Sequence, residues 1–237
     1  MDQMDLGWDT PQEDEFAMAN LGAGSIYLEC TLPDSGPIFH ETLEMDLMSE
    51  SRRRRWFQLF DRFLKHVALS HRCEKLILKS PQHTFRIRHL LKNYPNAQFV
   101  HISRDPDGVL RSTRHLWQTL YSHQGLQHQE TSQEQKRIND FFDRMYRAYF
   151  SDRKLLGREK LVEIRYEDLI VDPLKTIAQI YDQLDLGEFS RVMPILQQAL
   201  SEKKDYKTND FYSGADEPFP KPQAFKQYSS FFGYAAS

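Results

Sequence analysis

Cysteine is scarce. Only Cys30 and Cys73 occur in 237 residues, and nothing in their spacing suits a metal. That excludes a cysteine-built zinc or iron–sulfur site and a disulfide-stapled secreted fold, and it leaves two reduced thiols, as expected for the cytoplasm. Long apolar runs are absent as well. The stretch around Leu76–Leu78 is only a few residues long, far below the ~20 that span a bilayer. The first residues, "MDQMDLGWDT", have no basic stretch and no apolar stretch, so no secretory signal is expected. Charge of one sign is not in excess: 31 Lys and Arg stand against 34 Asp and Glu, for a net −3. Attraction to nucleic acid or membrane by overall charge is therefore excluded. Glycine numbers ten, and its one cluster near the start, "LGAGS" (21–25), follows no apolar strand and carries no lysine or arginine in a phosphate-gripping place. It reads as a helix end and turn, which counts against a nucleotide kinase with a Walker-type loop. No internal repeat and no low-complexity segment is present.

What is there is an ordinary globular balance, 40% apolar and 27% charged, long enough for one sizeable domain. "KLILKS" (75–80), "AQFVHI" (97–102) and "KLVEIRYEDL" (160–169) read as strands. Helices are expected from Pro81, from Pro106, over 133–156 with Ile138, Phe141, Phe142, Met145, Tyr146 and Tyr149 on one side, and from Pro173. An earlier helix, 49–71, has a Ser49 cap and an apolar face of Trp56, Leu59, Phe60, Phe63, Leu64 and Val67. Its Arg52–Arg55 run reads as a solvated face. A proline-containing tail closes on a short aromatic helix. Alternation of strands and helices predicts an α/β fold with a parallel sheet flanked by helices. Ligands then sit at the carboxyl ends of the strands. All three expected strands end in polar residues there: Lys79-Ser80, Ser103-Arg104 and Tyr166-Glu167-Asp168.

Arg104 at a strand end can present its fork to a phosphate. Ser112 follows eight residues on, about two helical turns along. The same pair is equally readable as a surface arginine and a helix serine. "FVHISRDPDGVLRSTRHLW" resembles the motif with which the sulfotransferase superfamily holds the 3′-phosphate of 3′-phosphoadenosine 5′-phosphosulfate, PAPS. "LILKSPQHTFRIRHLLKNYPNAQFVHISRDP", "IRYEDLIVDPLKTIAQIYDQLDL", "DYKTNDF" and "TPQEDEFAM" resemble other segments of bacterial sulfotransferases distantly similar to tyrosylprotein sulfotransferases. The resemblance implies a P-loop-type α/β fold in one domain: a mainly helical part over 1–72, a βαβ core over 73–187, and C-terminal helices with a nucleotide-covering loop over 188–237. It implies PAPS as co-substrate, no metal, and an unidentified hydroxyl or amine acceptor. Arg104 and Ser112 would hold the 3′-phosphate, Tyr166 the adenine, and Lys207 the donor phosphates. Lys79 would stand by the bridging oxygen as charge builds on the leaving phosphate.

The resemblance points to Glu13 as the base for the acceptor hydroxyl, with Glu15 and His83 as rivals. Thr10 and Glu13 also read as a helix capping box, which would need no chemistry. The family's first strand, phosphosulfate-binding loop and helix are not found, so the chain is expected to lack that unit. A non-catalytic or truncated homologue that binds nucleotide or a partner without turnover is therefore the alternative function. His101, His115, His123 and His128 either line a cleft or face solvent, and a homo-oligomer is an open arrangement.

Overall fold

Two helix starts are set locally, one by Ser49 and one by Asp172 with Pro173. A computed structural model of the chain describes residues 7, 10–32, 37–127, 131–202 and 220–235. They divide into two compact units, Met1–Asn93 with Leu116–Lys136, and Tyr94–His115 with Arg137–Ser237.

The first unit contains α1 (Asp14–Asn20), α2 (Glu50–His71) and α3 (Ile87–Asn93), with tight 3-10 turns at Ile26–Cys30, Met45–Leu47 and Pro81–Phe85. The Ser49 hydroxyl accepts the Arg52 N–H at 3.3 Å, so α2 begins where the serine cap predicts. Met18, Ile26, Leu43, Met45, Trp56, Phe60 and Leu90 form its core. A buried ion pair crosses this core. Arg86 grips Glu15 with two hydrogen bonds of 2.8 and 3.0 Å, donates to the Thr42 carbonyl at 2.6 Å, and lies over the Trp56 ring. The turn after α1 is glycine-made: Gly22 and Gly24 take φ of 74° and 79°.

The second unit is built on two parallel strands, β1 (Phe99–Ser103) and β2 (Leu161–Arg165), paired from Phe99↔Leu161 to Ser103↔Arg165. The connection between them runs through α4 (Pro106–Gln124) and α5 (Thr131–Asp152), each with residues in both units. After β2 come α6 (Tyr166–Val171), α7 (Pro173–Gln183), α8 (Phe189–Glu202) and α9 (Phe225–Phe232). Ile138, Phe142, Tyr146 and Tyr149 of α5 are buried, as the helical periodicity predicts. Phe142, Tyr146 and Tyr149 meet Tyr228 and Phe232 of α9, with Tyr146 and Tyr228 ring centroids 4.4 Å apart. The fold class is thus α/β, mostly helical with a small parallel sheet.

Two expectations need correction. Residues 75–80 are not a strand: they run without regular structure, and Ile77 is 97% exposed. Apolar side chains favour a strand only where another strand supplies the ladder, and none of the described strands pairs with this segment. The strand expected through Leu169 stops at Arg165, and Tyr166 opens a helix. Glu167 and Asp168 then lie in a helical first turn, where acids are favoured.

Candidate functional site

The carboxyl ends of β1 and β2 gather polar groups in the second unit. Beyond the last ladder pair, the Asp105 N–H donates to Glu167 Oε1 at 2.9 Å, and the Gly108 N–H to Asp105 Oδ2 at 2.9 Å, which fixes the entry to α4. The Arg104 guanidinium lies over the Tyr166 ring, 4.6 Å from its centroid. Among the described residues no carboxylate forms an ion pair with it. Arg104 and Tyr166, 62 positions apart, are thus brought together at one strand end. Ser112 stands on α4, where its hydroxyl donates to the Val109 carbonyl at 3.0 Å. No described hydrogen bond joins it to Arg104. Glu167 also accepts the Tyr234 hydroxyl at 2.7 Å. Burial alone would raise this carboxyl, but the bonds from Tyr234 and the Asp105 N–H hold it below the usual range.

In the first unit, Glu13 occupies the residue before α1, yet its side chain makes no capping bond. Thr10 instead accepts the Gly7 N–H at 2.9 Å, so the expected capping box does not form. Glu13 turns to Lys79, which donates to Oε1, and to Tyr27, whose hydroxyl donates to Oε2 at 2.8 Å. Lys79 is 79% exposed and Glu13 only 14%. Tyr27 stacks on Phe16 at 4.9 Å, and burial together with the Glu13 charge pushes its phenol far above the usual range. It therefore stays a proton donor. Sequence reasoning passed over Tyr27, because nothing in "SIYLEC" marks it.

The two rivals of Glu13 are placed differently. Glu15 is fully buried and committed to Arg86. His83 Nε2 lies 3.0 Å from Asp14 Oδ2, in ion-pair range but without hydrogen-bond geometry, with its ring edge-on to Phe60. Lys207 and His128 lie outside the described residues. His115 and His123 are exposed, whereas His101 is stacked between Tyr149 and Phe232 at 4.1 and 5.3 Å. The described residues contain no metal-holding cluster and no helix long and apolar enough to cross a membrane.

An arginine on an aromatic ring at a parallel strand end suits a bound anion, and an acid joined to an exposed lysine suits proton transfer beside a developing charge. Comparison with known proteins gives these features a family. Residues 9–190 match the sulfotransferase family. The chain is also 37% identical, over 211 residues, to the omega-hydroxy-beta-dihydromenaquinone-9 sulfotransferase Stf3 of Mycobacterium bovis and to that of Mycobacterium tuberculosis. Each alignment takes in 89% of this chain and 54% of the relative, so the chain spans about half the length of these curated relatives. No solved structure gave a significant match. With both strand ends, Glu13 and Lys79 inside the matched residues, the chain belongs to the sulfotransferase family.

Proposed function

We propose that this sulfotransferase takes its sulfuryl group from PAPS and passes it to a hydroxyl acceptor. Arg104 and Ser112 hold the 3′-phosphate, and Tyr166 contacts the adenine. Lys207 approaches the donor phosphates. Lys79 meets the charge that gathers on the leaving phosphate, and Glu13 takes the acceptor proton. The acceptor oxygen bonds to sulfur as the bond between sulfur and the phosphate oxygen breaks, and 3′-phosphoadenosine 5′-phosphate (PAP) leaves. Positioning and charge stabilisation carry most of such a displacement. The observation that carries the donor assignment is the Arg104 guanidinium, stacked on Tyr166 at a strand's carboxyl end with no described carboxylate partner. Glu13 supports the transfer assignment, because its side chain leaves the helix it could cap and meets Lys79 instead.

Exposed apolar side chains in the first unit support an apolar acceptor. The relatives are named for omega-hydroxy-beta-dihydromenaquinone-9. Here Phe16, stacked on Tyr27, is 43% exposed, and Leu28 and Leu32 are also exposed. These side chains suit an alcohol carried on an apolar body. The two free cysteines agree with a reducing compartment such as the cytoplasm.

The test is calorimetric titration with PAP, with ADP as control, followed by transfer from sulfur-35-labelled PAPS to the polyprenyl alcohol geranylgeraniol. Selective PAP binding that Arg104→Ala weakens at least tenfold, with transfer that Glu13→Gln abolishes, is the expected result. PAP binding without transfer supports instead a homologue that binds without turnover. No PAP binding by folded protein overturns the donor assignment.

A further inference from the structure

Arg104 is held by a helix that lies beyond the residues matched to the family, which end at 190. Tyr228 of α9 is 1% exposed. Its hydroxyl accepts the Arg104 N–H at 2.9 Å and donates to the Arg104 carbonyl at 2.8 Å. One phenol thus satisfies both backbone groups of one residue, just past the last ladder pair, Ser103↔Arg165. The next residue is held from the other side, by Glu167 on the Asp105 N–H. Glu167 is in turn held by Tyr234, whose ring lies 4.5 Å from the Arg165 guanidinium. The segment carrying these tyrosines is itself fastened. The Ala224 N–H donates to Asp143 at 2.6 Å, Asn139 donates to the Pro220 carbonyl at 2.7 Å, and Lys221 pairs with Asp107. Burial pushes the Tyr228 phenol up to about 12, so it keeps its proton at neutral pH. The backbone from which the Arg104 side chain starts is thus fixed by α9, and the guanidinium at its far end lies on the Tyr166 ring.

We propose that Tyr228 is a positioning residue for recognition of a nucleotide 3′-phosphate: by clamping the backbone of Arg104 it aims the guanidinium, and α9 serves as the latch of the nucleotide site. This rests on the assignment of Arg104 to the 3′-phosphate. A guanidinium–phosphate fork depends on direction as well as charge, and an unclamped arginine retains charge without direction. Loss of the clamp therefore costs the 3′-phosphate contribution and spares the rest of the nucleotide.

The readout is the ratio of PAP affinity to 5′-AMP affinity, measured by calorimetry on the full chain. The native ratio is expected to be about 100, the order of fold-change that charge-assisted phosphate contacts give. Tyr228→Phe is expected to lower the ratio about tenfold, with 5′-AMP affinity unchanged within twofold. Phe231→Leu removes a packing contact of the same helix, with Phe150, away from Tyr228 and Arg104, and is expected to keep the native ratio. A native ratio near 1 sinks the Arg104 assignment and the role of Tyr228 with it. A high native ratio that survives Tyr228→Phe overturns the role of Tyr228 alone. Equal loss in Phe231→Leu also overturns it, because the effect is then general loosening. If Tyr228→Phe does not fold, 3,5-difluorotyrosine in place of Tyr228 retains size and ionises more readily. Its ratio should fall with rising pH relative to the native chain, and parallel behaviour of the two chains overturns the proposal.

Discussion

Glu13 and Glu15 are two positions apart and have opposite surroundings. Glu15 is sealed in the first unit with both oxygens on Arg86. Glu13 is half-buried at a helix start, with an exposed lysine on one oxygen and a phenol on the other. A buried pair that loses one partner leaves a charge without compensation, which costs about 3–5 kcal/mol. Glu15→Gln is therefore expected to destabilise the first unit by about that amount, read as a lower midpoint in urea. Glu13→Gln is expected to stay within about 1 kcal/mol of the native chain, because a pair with an exposed lysine contributes little to stability. Equal losses in the two variants would show that Glu13 is as structural as Glu15 and would remove it from the transfer chemistry. Neither fate was legible in "PQEDEF". The partners are 66 and 71 positions away, and local pattern carries no information at that distance. The strong local signal, a capping box, pointed elsewhere.

Elements were legible where the local chemistry had no competitor. Ser49 and Asp172 precede helices, and each side chain caps: Ser49 accepts the Arg52 N–H, and Asp172 accepts the Lys175 N–H at 3.0 Å with Pro173 at the first position of α7. Asp172→Ala is expected to cost about 1 kcal/mol, as cap removal does, and Asp172→Asn should restore most of it in thermal unfolding. A loss that Asn does not restore would mean that the aspartate charge, rather than its capping oxygen, supports α7. β1 was legible because a short apolar run ends at a polar turn, and its partner β2 follows two helices later. Residues 75–80 carried the same apolar signal and form no strand, since a strand is a property of a pair. The strand-end cluster was half legible. Arg104 and Tyr166 stand out by position after apolar runs, whereas Tyr228, 124 positions from Arg104, sits in a helix whose aromatic spacing speaks only of burial.

At the scale of the whole molecule, burial and charge combine into a dependence of stability on pH that belongs to the second unit. His101 is held among Tyr146, Tyr149 and Phe232, its Nε2 buried without a described hydrogen-bond partner. Burial lowers its pKa to about 4, despite the nearby Glu163 charge, which acts upward, and with Arg153 acting downward. An unfolded histidine titrates near 6.5. As pH falls through 6.5 the unfolded chain binds a proton that the folded chain refuses until about 4. Stability therefore declines across that window, by up to about 3 kcal/mol at 1.36 kcal/mol per pH unit. Glu163 and Glu167 act in a lower range. Burial raises both, but Arg153 and Tyr149 on the first, and Tyr234 and the Asp105 N–H on the second, hold them below the ordinary carboxylate value. Their contributions are present above about pH 4.3, the unfolded value, and are lost as pH falls below it. Urea unfolding followed by near-ultraviolet circular dichroism, which reads the tyrosine cluster, should show two acid limbs: one between pH 6.5 and 4 from His101, one below from the carboxylates. His101→Phe fits the aromatic stack and cannot take a proton, so it should flatten the upper limb and leave the lower one. An upper limb that persists in His101→Phe would mean that another group titrates there and that the buried imidazole does not govern the acid sensitivity of this fold.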